Sequence, residues 1–362
     1  MVDKIFEEAE RRTLWEDDSN EPPPADIIAY NELRSCADLF RMSNQGILDI
    51  QPDFQRDVVW NGADQTRFID SLVKQLPIPS MCFSLDYKTQ KWLVIDGLQR
   101  LSTIIKFLKG ADWKLSDLDD ITADLSGKSA AAIKDKNSPL HQYYSRVENL
   151  TIPITVLRCD YSKKNHMEYL FTIFHRLNSG GMKLNNQEIR NCIYGGVFNT
   201  LLKSLDSNVS WRRINRMKKG ENYRLTKQEL ILRFFAFSAR HKQYKGSLSK
   251  FLNSYMQENR DISPQEADEK KNYFDETVVC IDEKIFGKKQ PARLSITIIE
   301  ALLFGIGMNL EKVRLEEADV LQKKFQDLVS HEDFSETLIR EGLSKRQRVI
   351  DRLDTAVSIF AS

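Results

Sequence analysis

Apolar positions along the chain fall into two regimes. From residue 26 to 195, short β-rich runs alternate with one-sided helical stripes, and beyond Gly195-Gly196 the stripes follow one another with almost no strand signal. Phe68, Ile69, Leu72, Val73 and Leu76 recur at helical spacing after Asp64, and Pro77 and Pro79 end that helix. SMCFSLD and KWLVID predict two strands joined by a YKTQ turn. Leu101, Ile104, Ile105 and Leu108 then mark a helix closed by Gly110. IPITVLRCD (152–160) predicts a strand, and Met167, Leu170, Phe171, Phe174 and Leu177 a helix that stops at Asn178-Ser179-Gly180-Gly181. Upstream, Ile27-Ile28 predicts a short strand and LRSCADLFRMSNQG a helix stopped by Gly46. Residues 111–150 read as a polar, irregular excursion from the core.

Asn185 with Glu188 forms a capping-box pattern opening NNQEIRNCIY, and Thr226 with Glu229 resembles another before LILRFFAFSA. ARLSITIIEALLFGIGMNL and VIDRLDTAVSIF complete the helical part. The fold class is therefore α+β: a mixed α/β domain over 26–195, then an all-helical domain over 196–362. Residues 1–25, acidic and ending near Pro22-Pro23-Pro24, read as a disordered extension.

Composition narrows the class. The 362 residues are 41% hydrophobic, enough for a sizeable core, yet no apolar run reaches the roughly 18 residues of a membrane span. The N-terminus lacks the apolar core of a secretory signal. Five scattered cysteines (36, 82, 159, 192, 280) form no CxxC pair and read as buried thiols of a cytoplasmic protein.

The net charge of +1 conceals an asymmetry. Residues 1–25 hold eight acids against three bases, and residues 199–260 hold fourteen bases against four acids. Arg212, Arg213, Arg216, Lys218 and Lys219 in WRRINRMKKG are candidate contacts to DNA phosphates, with Trp211, Tyr223 and Tyr244 as candidate stacking partners. The same run also fits a solvated helical surface.

The sharpest candidate chemistry is VIDGLQR (94–100). A hydrophobic strand delivers Asp96 to its C-terminal end, Gly97 permits a sharp turn, and a helix N-terminus with its free N–H groups follows. Arg100 offers a fork for phosphate oxygens, Gln99 can orient a water, and Asp96 can hold Mg²⁺ together with substrate phosphates. An ordinary capped corner, with Arg100 paired to Asp96, fits the seven residues equally. Two further corners share this composition: Gln55-Arg56 in PDFQRDVVW, and Arg176 with Asn178 leading into a double glycine in FHRLNSGG.

The three motifs, in this order, resemble the DGQQR-motif family of the ParB/sulfiredoxin-like superfamily. That family supplies the S-type half of GmrSD modification-dependent restriction systems. The resemblance spans roughly residues 28–195. It implies a front domain that binds and hydrolyses a nucleoside triphosphate with Mg²⁺ or another divalent metal, coupled to cleavage of foreign, often modified, DNA. Carried onto this chain, it implies Asp96, Gln99 and Arg100 as catalytic residues, with Asp96 as the metal ligand. It implies Gln55, Arg56, Gly97, Arg176, Asn178 and Gly180 as nucleotide contacts. Leu98 departs from the pattern, standing where the family has its first glutamine. None of the five histidines fits an HNH nuclease element, so a separate nuclease is the expected partner, along with DNA; a homo-oligomer stays open. The alternative is a non-enzymatic DNA-binding module or an adaptor. Gly127-Lys128-Ser129 lacks the upstream glycine of a P-loop, and Glu269-Lys270-Lys271 lacks the strand-borne aspartate of a nuclease core.

Overall fold

The computed structural model describes residues 22–50, 60–110, 113–177, 184–217, 226–335 and 343–362. It divides into two units, Glu21–Lys183 and a second that comprises the described residues from Leu184 to Ser362.

The first unit is built on a five-stranded mixed sheet of β1 (Ile28–Ser35), β2 (Leu48–Asp49), β3 (Met81–Asp86), β4 (Trp92–Asp96) and β5 (Thr151–Cys159), in the order β1-β5-β3-β4-β2. β1 runs antiparallel to β5, β5 parallel to β3, β3 antiparallel to β4, and β4 parallel to β2. The helices are α1 (Cys36–Asn44), α2 (Gly62–Val73), α3 (Leu98–Lys109), α4 (Ala130–Lys134), α5 (His141–Asn149) and α6 (Lys164–Leu177).

Three of these helices start where a side chain accepts from one of the first free N–H groups. Ser35 caps α1, Asn61 caps α2 and Ser129 caps α4, each accepting from the amide three residues on. One face of the sheet (Phe83, Leu85, Trp92, Val94, Ile152, Ile154, Val156) packs with Leu39, Ile69, Leu72, Leu101, Ile104 and Phe107 into the main core. The other face is covered on its β4 side by α6.

Two expectations need correction. β1 is an eight-residue strand, so the following helix begins at Cys36 rather than Leu33, since pairing with β5 holds Leu33 and Arg34 extended. Residues 113–150 are no excursion: Leu115, Ile121, Leu125, Ala130, Ile133, Tyr144 and Val147 are buried in the main core. Their polar neighbours satisfy the turns between them, as when Asp70 accepts from the Thr122 amide and hydroxyl at 2.9 and 2.7 Å. The two compact units divide between Lys183 and Leu184, and the capped helix that follows Leu184 packs within the second.

That unit is helical: α7 (Asn186–Ile193), α8 (Val197–Leu205), α9 (Val209–Ile214), α10 (Thr226–Arg240), α11 (Leu248–Glu258), α12 (Pro264–Cys280), α13 (Ile296–Met308), α14 (Leu310–Val313), α15 (Ala318–Ser330) and α16 (Arg346–Ala361). α13, buried from Thr297 to Gly307, is its central helix and packs against α10, α12, α15 and α16. The Asn185–Glu188 capping box closes in both directions, at 2.9 and 2.6 Å. Every residue of α7 is buried, polar ones included. Arg190 bonds Asn253 at 2.8 Å and Glu229 at 2.7 Å, and Arg233 links Glu229 (2.7 Å) to Glu300 (3.0 Å). Burial pushes Glu229 up, but Arg233 and Arg190 outweigh it and hold its carboxyl below the usual range.

All five cysteines are free and buried, as expected for structural thiols. The acidic segment through Glu21, the FQR segment and the Asn178–Gly181 stop lie outside the described residues, as does the side chain of Thr226.

Candidate functional site

Asp96 owes its position to a β-bulge. In the β3–β4 pair, Val94 lies opposite Phe83 but Asp96 lies opposite Cys82, so β4 has one extra residue, the buried Ile95. Strict alternation would put Asp96 on the core face with Trp92 and Val94. The bulge turns it to the face of Cys82 instead, the re-aiming that bulges supply beside functional sites. An acid falling on the apolar stripe Trp92–Val94–Asp96 was the sequence signal for this, and alternation alone misses it.

Gly97 follows with φ +96°, in the left-handed region, and caps α3 without a side chain. A Cβ there would stand 2.6 Å from Met81 Cγ, so both conformation and space call for glycine. Leu98 packs against the main core as a half-buried hydrophobe. At this position leucine is an anchor for the first turn of α3.

Gln99 and Arg100 are both engaged. The Gln99 Oε1 accepts from the Trp60 amide at 3.4 Å, while the Trp60 ring packs edge-on to Phe68 at 5.2 Å. Arg100 donates to Asp96 Oδ2 at 2.8 Å, to the Ser80 carbonyl at 3.3 Å and to the Pro79 carbonyl. Its side chain is 15% exposed and that of Asp96 38%. The fork of Arg100 thus ties the PIPS corner ahead of β3 to the head of α3, and Asp96 is the more accessible member of the pair. Trp60, Pro79, Ser80 and Met81 carried no sequence signal of their own; they contribute backbone or shape.

Gln55 and Arg56 lie outside the described residues, but the described flanks of their segment are anchored beside the same corner. Asp49 pairs with Leu93 of β4, and Trp60 meets Gln99 of α3. Arg176 is exposed in the last turn of α6, the helix packed on β4, where a cation also suits the helix dipole. Asn178 and Gly180 lie outside the described residues.

Among the described residues there is no group of three or more His, Cys, Asp or Glu side chains able to hold a metal. Asp96 has one carboxylate oxygen on Arg100. A hard cation meeting the other oxygen would have to bring most of its ligands as water and phosphate oxygens, the usual manner of Mg²⁺.

The basic stretch of the second unit has a structural role. Arg213 pairs with the buried Asp282, whose Oδ2 also accepts from Ser210 at 2.7 Å, and Arg216 donates to the Pro291 carbonyl at 2.9 Å. Arg212 is half-buried on α9, and Lys218 and Lys219 lie outside the described residues. The stacking expectation fails for Trp211 and Tyr244. Both are fully buried, Trp211 against Phe274 and Tyr244 against Phe237 and Phe251. Tyr223 lies outside the described residues. Lys270 of the Glu-Lys-Lys run stands over the rings of Phe198, Phe235 and Tyr255, at 5.7 to 6.0 Å.

Residues 36–195 match the family described as GmrSD restriction endonuclease, N-terminal domain. Comparison with curated proteins and with solved structures found no match. The GmrSD-like region begins at the first residue of α1 and ends just past α7, so it contains the bulged strand, the Asp96–Arg100 corner, α6 and the capped helix. Among the described residues, no helix is long and apolar enough to cross a membrane.

Proposed function

We propose that the front unit binds a nucleoside triphosphate with Mg²⁺ and hydrolyses it as the regulatory part of a restriction system that acts on DNA through a separate nuclease. The observation that supports it most is the bulge-directed Asp96 at the head of α3, within a region similar to a restriction endonuclease domain. Asp96 would hold the metal, and the first-turn amides after Gly97 would meet the phosphates. Arg100 keeps Asp96 and the Pro79–Ser80 corner in place. Gln99 holds Trp60, and Gln55 and Arg56 would serve as further phosphate contacts. Arg176, Asn178 and Gly180 would complete the phosphate contacts. Kinship with the ParB/sulfiredoxin-like superfamily belongs to the same reading.

The test is phosphate release from each of the four nucleoside triphosphates with Mg²⁺, with and without DNA. Asp96→Asn should abolish the metal-dependent signal while the protein stays folded. Equal release by wild type and Asp96→Asn sinks the assignment. A purely DNA-binding module instead predicts no release and a steep salt dependence of DNA affinity.

A further inference from the structure

Asp96 is the end of a row. Cys82 lies opposite Asp96 on one side and beside Thr155 on the other, and Thr155 lies opposite Asn31. Paired residues share a face, so Asn31, Thr155, Cys82 and Asp96 cross four strands in a single line, on the face away from the main core. The β1 end of that face is open: Ala29, Asn31 and Leu33 are exposed, Leu33 to 69%.

A hydrogen-bonded chain runs along the row. Arg100, held by Asp96, donates to the Ser80 carbonyl at 3.3 Å. The Ser80 hydroxyl meets Thr155 Oγ1 at 3.1 Å, and Thr155 Oγ1 donates to Asn31 Oδ1 at 2.9 Å. The Thr155 proton is committed to Asn31 Oδ1, while the Ser80 hydroxyl proton is shared between Thr155 Oγ1 and the Met81 carbonyl, 3.0 Å away. With its Oδ1 engaged by Thr155, Asn31 has its amide N–H groups as the donors it offers at the far end.

We propose that this ledge of Ser80, Thr155 and Asn31 seats the sugar and base of the nucleotide whose phosphates meet Asp96 and the head of α3, with the Asn31 amide donating to an acceptor oxygen or nitrogen of the nucleoside. The inference rests on the nucleotide-binding reading above and adds where the rest of the ligand lies. Three inter-strand steps separate Asp96 from Asn31, about 14 Å, a span suited to an extended nucleoside triphosphate that passes over the exposed Ser80, since Cys82 itself is buried. The chemistry is equally specific: the ledge is polar and uncharged, right for a sugar and base edge, and the charged groups are confined to the Asp96 end.

The experiment compares two probes on the full chain with Mg²⁺, inorganic tripolyphosphate and the four ribonucleoside triphosphates, by calorimetric titration. Asn31→Ala and Thr155→Val should each weaken binding of the best nucleotide by up to about tenfold, the worth of one hydrogen bond, and leave tripolyphosphate affinity unchanged. Thr155→Ser, which retains the hydroxyl, should bind like wild type. Thermal melts of the three variants check that each is folded. Wild-type tripolyphosphate binding with nucleotide affinity unmoved in both folded variants overturns the ledge alone and leaves the phosphate site standing. A wild type that binds neither probe overturns both readings.

Discussion

Asp96 stands directly across from Cys82 while Val94, two residues earlier, stands across from Phe83. Partners one apart on β3 thus meet residues two apart on β4, and that single mismatch carries Asp96 out of the core face. The neighbouring thiol is well suited to the position. Burial, helped by the Asp96 charge, pushes Cys82 up to about 12, so it stays neutral beside the carboxylate.

Gly97→Ala should destabilise the protein by about 1–3 kcal/mol, since the left-handed backbone and the Met81 contact both oppose a Cβ. Denaturant titration reads this directly. Adding Met81→Ala should relieve the contact but not the backbone strain, so the double variant should fall short of additivity. Additive costs would mean that Met81 yields freely.

Leu98 is half-buried and packs against the main core. Leu98→Gln should cost about 1–2 kcal/mol of stability through lost apolar burial and should not raise phosphate release. A gain in turnover would show instead that the amide acts on the ligand.

Glu229→Gln should be among the most damaging single changes, about 3–5 kcal/mol, because it leaves Arg190 and Arg233 without their shared buried partner. Chemical denaturation of the full chain measures it. A loss below about 1 kcal/mol would mean that the network relaxes or takes up water.

Acid should weaken the turn between β5 and α6. Burial raises the Asp160 carboxyl, but Lys88 at 2.8 Å and the Ser162 hydroxyl and amide at 2.6 and 3.0 Å outweigh it and hold it well below the usual range. A folded value below the unfolded one means that the contribution is full above about pH 4 and is lost as pH falls through the folded value. The stability gap between wild type and Asp160→Asn should therefore be constant from pH 5 to 7 and shrink below pH 4. A gap that is flat with pH would contradict this.

Much of the frame was legible in the pattern. The hairpin of β3 and β4, the stripes of α2, α3 and α6, and the Asn185–Glu188 box all follow from periodicity and capping chemistry, which are local. Non-local decisions escaped. The isolated Leu115, Ile121 and Ile133 gave no periodic signal, because the first two reach the core from irregular chain and the third from a five-residue helix. Trp211 and Tyr244 lay among lysines and arginines in the sequence, yet their rings are interior and their polar atoms have internal partners, Asp206 and the Ser344 carbonyl. At the candidate site, Asp96 and Gly97 announced themselves by residue type. Arg100 gave its type and its pairing with Asp96 as one open alternative, but not its other partners, which are main-chain carbonyls some twenty residues earlier.

The alternating Arg190, Glu229, Arg233 and Glu300 draw from α7, α10 and α13. Removing Glu229 or Arg233 leaves a buried charge at one end without its partner, whereas replacing an end pair, Arg190 with Glu229 or Arg233 with Glu300, by apolar residues leaves the other pair intact. Change at the two central positions is therefore tied to change at the adjoining end. A descendant of this chain that lacks Glu229 should also lack Arg190, and one that lacks Arg233 should also lack Glu300.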